Sequence, residues 1–226
     1  MSYSGFGPQA LPFFKALAFH QDKDWFEANR ATYERDVKAP LGDLVEALAE
    51  KFAAAKIPLK GDRKSSLYRL NRDLRFAKDK SPYKTHAGAI MTRGGTKGDP
   101  GLLYVHIAPE GCFAAMGFYH VEPAELGNLR RAILRAPKAW TRLRVALAKA
   151  DLALSAEEAM KRLPKGFEAV ADPELAAALK LKSYIVSRPL APNSLSGPGL
   201  VADIARFAAQ ALPLLEWGWD AIVDQR

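Results

Sequence analysis

The stretch "LLYVHIAPEGCFAAMGFYH", residues 102–120, decides the fold. From Leu102 to Pro109 apolar residues alternate with others at the two-residue period of a strand. Glu110-Gly111 reads as a tight turn, and Cys112 to His120 returns. With the turn there, Leu103, Val105 and Ile107 pair with Phe118, Met116 and Ala114 on one apolar face. The other face carries Tyr104, His106, Ala115, Gly117 and Tyr119. Its small residues leave room for a helix or a ligand. Upstream, His86 to Arg93 reads as a further strand, so the three segments make an antiparallel meander.

Helical patterns lie on both sides. Pro12 to Ala18 suits a short helix. Asp24 has capping-box spacing to Glu27 and opens a second helix, which Pro40 breaks or restarts. Leu41, Leu44, Val45, Leu48 and Phe52 then recur at helical spacing. After Glu122-Pro123 comes a stripe of Leu126, Leu129 and Ile133, with Arg130, Arg131 and Arg135 largely outside it. Trp140, Leu143 and Leu147 continue the pattern beyond Pro137. Leu175 to Leu181 suits a short helix and Ser183 to Arg188 a strand, and a terminal helix starts at Leu200. No internal repeat, low-complexity tract or clear linker interrupts the chain. The expected fold is α+β: a single domain over 1–226, an antiparallel sheet with a three-stranded meander flanked by N-terminal and C-terminal helices.

The 226 residues are 49% hydrophobic and 26% charged, which is the composition of a globular protein able to bury a core unaided. A lone cysteine, Cys112, excludes an internal disulfide and fits a reducing cytoplasm. The N-terminus lacks a basic region ahead of its apolar residues, and no apolar run suits a membrane span. The expectation is a cytoplasmic bacterial protein with no membrane partner.

Several chemistries find no support. The four histidines, 20, 86, 106 and 120, lack zinc-ligand spacing, and the hairpin register separates His106 from His120. No metal is expected, nor any cofactor. "RGGTKGD" (93–99) lacks the spacing of a phosphate loop and reads as a flexible hairpin loop. No G-x-S-x-G elbow occurs, and Cys112 has no adjacent activator.

What remains is charge. The net charge is +8, but residues 61–97 hold ten Lys/Arg against three acids, +7 in all, which leaves +1 for the rest. "RLNRDLRFAKDKSPYKTHAG" (69–88) is the densest part. Arginine forks match carboxylate or phosphate oxygens in pairs, and lysines act as point charges. Ser81-Pro82 supplies a fold-back that lets Arg69, Arg72, Arg75, Lys78, Lys80 and Lys84 converge, and a helix starting there would add free N–H groups. Tyr68, Phe76 and Tyr83 interleave as stacking faces. Asp73 orients the arginines. The competing reading is an internal ion-pair network through Asp73, Asp79 and more distant acids.

The same stretch resembles the signature of the domain-of-unknown-function family 2461. The resemblance runs through "WFEANRATYERDVKAPL", "YVHIAPEGCFAAMGFYHVEPAELGNLRRAI", "KRLPKGF" and "LKLKSY", and so covers nearly the whole chain. The matching positions are Trp25, Phe26, Asn29, Tyr33, Arg69, Arg72, Asp73, Arg75, Phe76, Asp79, Lys80, Pro82, Tyr83 and Lys84. Asp172-Pro173 departs from a pattern that often has His-Pro there. The family implies the extent of the fold and the location of a site, but no activity.

The functional expectation is a protein that binds a phosphate- or carboxylate-bearing small molecule through Arg69, Arg72, Asp73, Arg75, Lys80, Tyr83 and Lys84. One alternative is an enzyme acting on a phosphorylated substrate with Asp73 or Asp79 as general base. The other is a nucleic-acid-binding module. Neither oligomeric state nor ligand identity is legible.

Overall fold

A computed structural model describes residues 3–75 and 78–223. Seven α-helices and four strands follow in the order α1 (Ala10–Phe19), α2 (Lys23–Tyr33), α3 (Ala39–Ala54), β1 (Ala87–Thr92), β2 (Leu102–Ile107), β3 (Cys112–Phe118), α4 (Pro123–Arg135), α5 (Pro137–Lys149), α6 (Pro173–Leu179), β4 (Tyr184–Leu190) and α7 (Gly199–Val223). The fold is α+β, with an antiparallel sheet in the order β1-β2-β3-β4. The meander read from the sequence is its first three strands, and the separate strand after Ser183 is added beside β3. Contacts group the chain into two compact units. One is Met1–Asp99, Leu103–Ala114 and Pro189–Phe207, and the other is Pro100–Leu102, Ala115–Arg188 and Ala208–Arg226.

In the first unit α2 starts at Lys23, two residues earlier than the spacing suggests. Its cap is Asp22, an extended residue whose carboxylate accepts from the Trp25 N–H at 2.8 Å. Asp24 instead lies in the first turn, where an acid favours the helix dipole. Pro40 does not break the helical path. It follows one π-helical turn, Glu34–Lys38, in which the Ala39 N–H bonds Glu34 O, five residues back. A proline ring leaves the carbonyl four residues earlier without a partner. That carbonyl is Asp36 O, and the Gly7 N–H takes it at 3.0 Å. A side chain at residue 7 would run into the Asp36 carboxylate, with a Cβ only 2.1 Å from Oδ1. Phe14, Leu17, Val37, Leu44, Leu48 and Phe52 are all fully buried around this run. Each such side chain contributes on the order of 1.5–3 kcal/mol.

The hairpin faces are as the alternation predicts: Leu103, Val105, Ile107, Ala114, Met116 and Phe118 are buried. The turn, however, is Ala108 to Gly111, closed by the Gly111 N–H on Ala108 O at 3.2 Å. Pro109 prefers the second position of such a turn and glycine the fourth. His106 therefore stacks on Phe113, with ring centroids 4.7 Å apart, rather than facing Ala115. A turn centred one residue earlier moves the pairing by two, which preserves the faces.

The second unit buries Trp140 and Tyr184, whose rings meet edge to face at 5.8 Å. Gly117, at φ +139°, lets β4 approach: a Cβ there would lie 2.1 Å from Tyr184 O. Arg130, expected outside the α4 stripe, is buried and donates to Leu181 O at 2.9 Å. A guanidinium on a long apolar stem can reach a carbonyl that a leucine would leave unpaired. Asp172, the departure from the family pattern, caps α6 by accepting from the Glu174 and Leu175 N–H groups.

Candidate functional site

Among its described residues the basic stretch folds back on itself without a regular strand or helix until β1 begins at Ala87. Asn71 bridges Tyr83, Leu67 bridges Ala89, and Lys60 bridges Thr92, all antiparallel. Between the first two bridges one side advances four positions and the other six. Two surplus residues must bulge from the 83–89 side, which breaks the ladder and re-aims the side chains there. Lys84 is still paired, its N–H donating to Leu70 O at 2.9 Å, and His86 lies in the bulge that follows it. Of the strand expected over Tyr68 to Phe76, only the paired part near Asn71 exists, and Phe76 lies outside the described residues. Ser81-Pro82 starts no helix, because Asp79 holds both the Ser81 N–H (2.9 Å) and its hydroxyl (2.6 Å) in a tight loop.

The seven expected residues fall into three sets. Arg72 pairs with Asp79, and Arg75 forks onto Asp73 with Nη2 2.6 Å from Oδ2. Lys80 donates to Leu74 O at 3.0 Å. These four, with Asp79, find their partners locally, within residues 72–81. The Ser81 hydroxyl and N–H, then Arg72, hold the Asp79 carboxyl at about 2.

Arg69 and Lys84 are arranged differently. Arg69 is exposed and makes no hydrogen bond or ion pair with a carboxylate among the described residues. Lys84 Nζ stands 5.4 Å from the centre of the Tyr68 ring, and Lys97 Nζ stands 4.9 Å from it. Lys97 also donates to Leu67 O at 2.7 Å. Burial first, then Lys97 and Arg69, push the Lys84 ammonium below its ordinary range. Burial and then Arg69 do the same to Lys97. Lys84 and Lys97 thus flank one tyrosine ring, and Arg69 beside them disfavours the charge of both. Lys97 belongs to the loop expected to be flexible. That loop is tied by Thr92 Oγ1 and the Thr96 N–H, both donating to Asp99 Oδ2. Tyr83 is buried against Phe26, with centroids 4.8 Å apart, and forms a wall of the cavity that Arg69 and Tyr68 also line.

The conserved hypothetical protein family DUF2461 matches residues 9–217. The chain belongs to that family. No curated protein and no solved structure matches it. The matched span contains the whole candidate site of this DUF2461 chain, both the neutralised loop and the three cations.

Beside the cations lies a group that sequence reading left as structural. The Tyr104 hydroxyl and His106 Nδ1 are 3.0 Å apart, and the His106 ring lies 4.5 Å from that of His86. Gly88 admits Tyr104 over β1, since a Cβ there would meet its hydroxyl at 2.5 Å. Tyr68 meets Tyr104 edge-on at 6.1 Å. Burial, and then His86, drive the His106 imidazole down to about 4, while Glu110 opposes them. Burial and then Lys84 also lower His86. Both rings are therefore neutral near pH 7. Among the described residues no three metal-binding side chains gather. The only signal in the sequence was that Tyr104 and His106 share the outward face of β2. The approach of His86 depends on the bulge, which no periodicity reveals.

Proposed function

We propose that this DUF2461 protein binds a phosphate- or carboxylate-bearing small molecule at Arg69, Lys84 and Lys97. The observation that carries the reading is the gathering of Lys84 and Lys97 on the Tyr68 ring, close enough to Arg69 to feel its charge, with no carboxylate hydrogen-bonded to any of the three among the described residues. Mutual repulsion makes such a cluster costly without a ligand, and an anion offsets that cost through charge-assisted hydrogen bonds. Arg72, Asp73, Arg75 and Lys80 shape the adjoining loop, and Tyr83 backs the cavity. The test is thermal melting in sodium phosphate and sodium sulfate against sodium chloride at equal ionic strength. Phosphate raises the melting temperature of the wild type, and Arg69→Ala and Lys84→Ala remove the rise. An equal response in all three proteins sinks the reading.

A second reading, an enzyme acting on a phosphorylated substrate, is favoured by one observation: the Tyr104–His106–His86 group adjoins the cations. Neutral imidazoles suit general-base work near pH 7 better than Asp79, which is held at about 2.

A further inference from the structure

Tyr68 and Arg69 also line a cavity of about 420 Å³, a volume within the range of small-molecule sites. Lys84 and Lys97 do not line it. Two consecutive residues therefore belong both to the cation cluster and to the cavity. A ligand whose anionic end meets Arg69 places its body in that space.

The walls define the body. Phe26, Tyr33 and Tyr83 line the cavity along with Tyr68. Arg30 lays its guanidinium over the Phe26 ring, 4.9 Å from its centre. Four rings thus stand in a lining that is otherwise largely charged and aliphatic, and such rings offer stacking faces to a planar ligand. Asn71 lines the same space and brings an amide that both donates and accepts, the pair of functions that reads the edge of a heterocycle. Arg30 is engaged by Glu27, Lys38 by Glu34 and Arg63 by Asp43 and Glu46, so of the lining arginines Arg69 is the one without a carboxylate pair among the described residues.

Resting on the anion reading above, we infer that the ligand class is a nucleoside monophosphate, with phosphate at Arg69, Lys84 and Lys97 and the base in the aromatic cavity beside Tyr68. The experiment is calorimetric titration of the full chain with AMP, GMP, CMP and UMP, alongside ribose 5-phosphate, adenosine and inorganic phosphate. At least one nucleoside monophosphate binds about tenfold tighter than ribose 5-phosphate, the increment expected of one stacked base. Tyr68→Leu removes that advantage. Because Tyr68 also carries the lysines, Asn71→Ala serves as the second variant. It changes the order among the four nucleotides and leaves inorganic phosphate within about twofold. Equal affinity for nucleotides and ribose 5-phosphate overturns the inference while leaving the anion site standing. Tighter binding of ribose 5-phosphate overturns it as well. Absence of binding by every phosphate, inorganic phosphate included, defeats the anion reading and this one with it.

Discussion

Two parts of one basic stretch have opposite electrostatic fates. Within residues 72–81 Arg72 and Arg75 find Asp79 and Asp73, acids seven and two positions away. Around Tyr68, Arg69 meets Lys84 and Lys97, cations brought from 15 and 28 positions away by the fold-back and by the next loop. Charge interleaved at short range neutralises itself whatever the fold does. Charge assembled by tertiary structure does so only if an acid is assembled too, and here none is hydrogen-bonded to the three cations among the described residues. Counting charges along a segment therefore overstates the site in the loop and understates it at Lys97.

The largest expected effect separates the two parts directly. Arg69→Ala lowers phosphate affinity at least about tenfold, in line with the ~1.5–3 kcal/mol of a hydrogen bond to a charged group. Arg72→Ala retains most of the affinity, because its guanidinium is already occupied. Melting curves across a phosphate series read both, and a loss confined to Arg72→Ala would invert the assignment.

Acid titration gives the next effect, in two separate windows. A histidine whose folded pKa is depressed leaves the unfolded chain binding more protons, so stability falls as pH is lowered. For His106 that loss runs from the ordinary 6.5 down to about 4, and His86 adds to it in the same direction. Asp79 is also depressed, so its contribution is lost later, from 3.8 down through about 2. Denaturant unfolding at a series of pH values should show the first decline in the wild type and a shallower one in His106→Phe. An unchanged slope would mean that His106 is not held neutral by burial.

This contrast also shows what the sequence could reveal. The β2–β3 faces were legible because alternation reports burial whichever residue turns the hairpin. The helices were legible from 3.6-residue spacing, and the chain passed through Pro40 because Gly7 supplies the missing donor. The bulge around His86 was not legible, since it depends on unequal bridge spacing between two segments. Lys97 was counted in the charge but not placed, because its partner Leu67 O is a backbone atom 30 residues away. Arg130 was misplaced for the same reason: its partner is the Leu181 carbonyl.

A smaller effect concerns stability without ligand. Lys97→Glu places an acid among Arg69 and Lys84, and should stabilise the unliganded protein by about 0.5 kcal/mol while weakening phosphate binding. Destabilisation by that change would argue that the cations do not repel one another. Smallest of all is Arg75→Ala. Its pair with Asp73 is largely exposed, so neither unfolding midpoint nor phosphate response should move measurably.

The most direct test of the central claim observes the three arginines together. In a nitrogen–proton spectrum recorded at the arginine Nε positions, phosphate should produce a saturable shift at Arg69 and leave Arg72 and Arg75 in place. Saturable shifts at Arg72 or Arg75 with Arg69 unmoved would contradict the account, as would three unmoved signals.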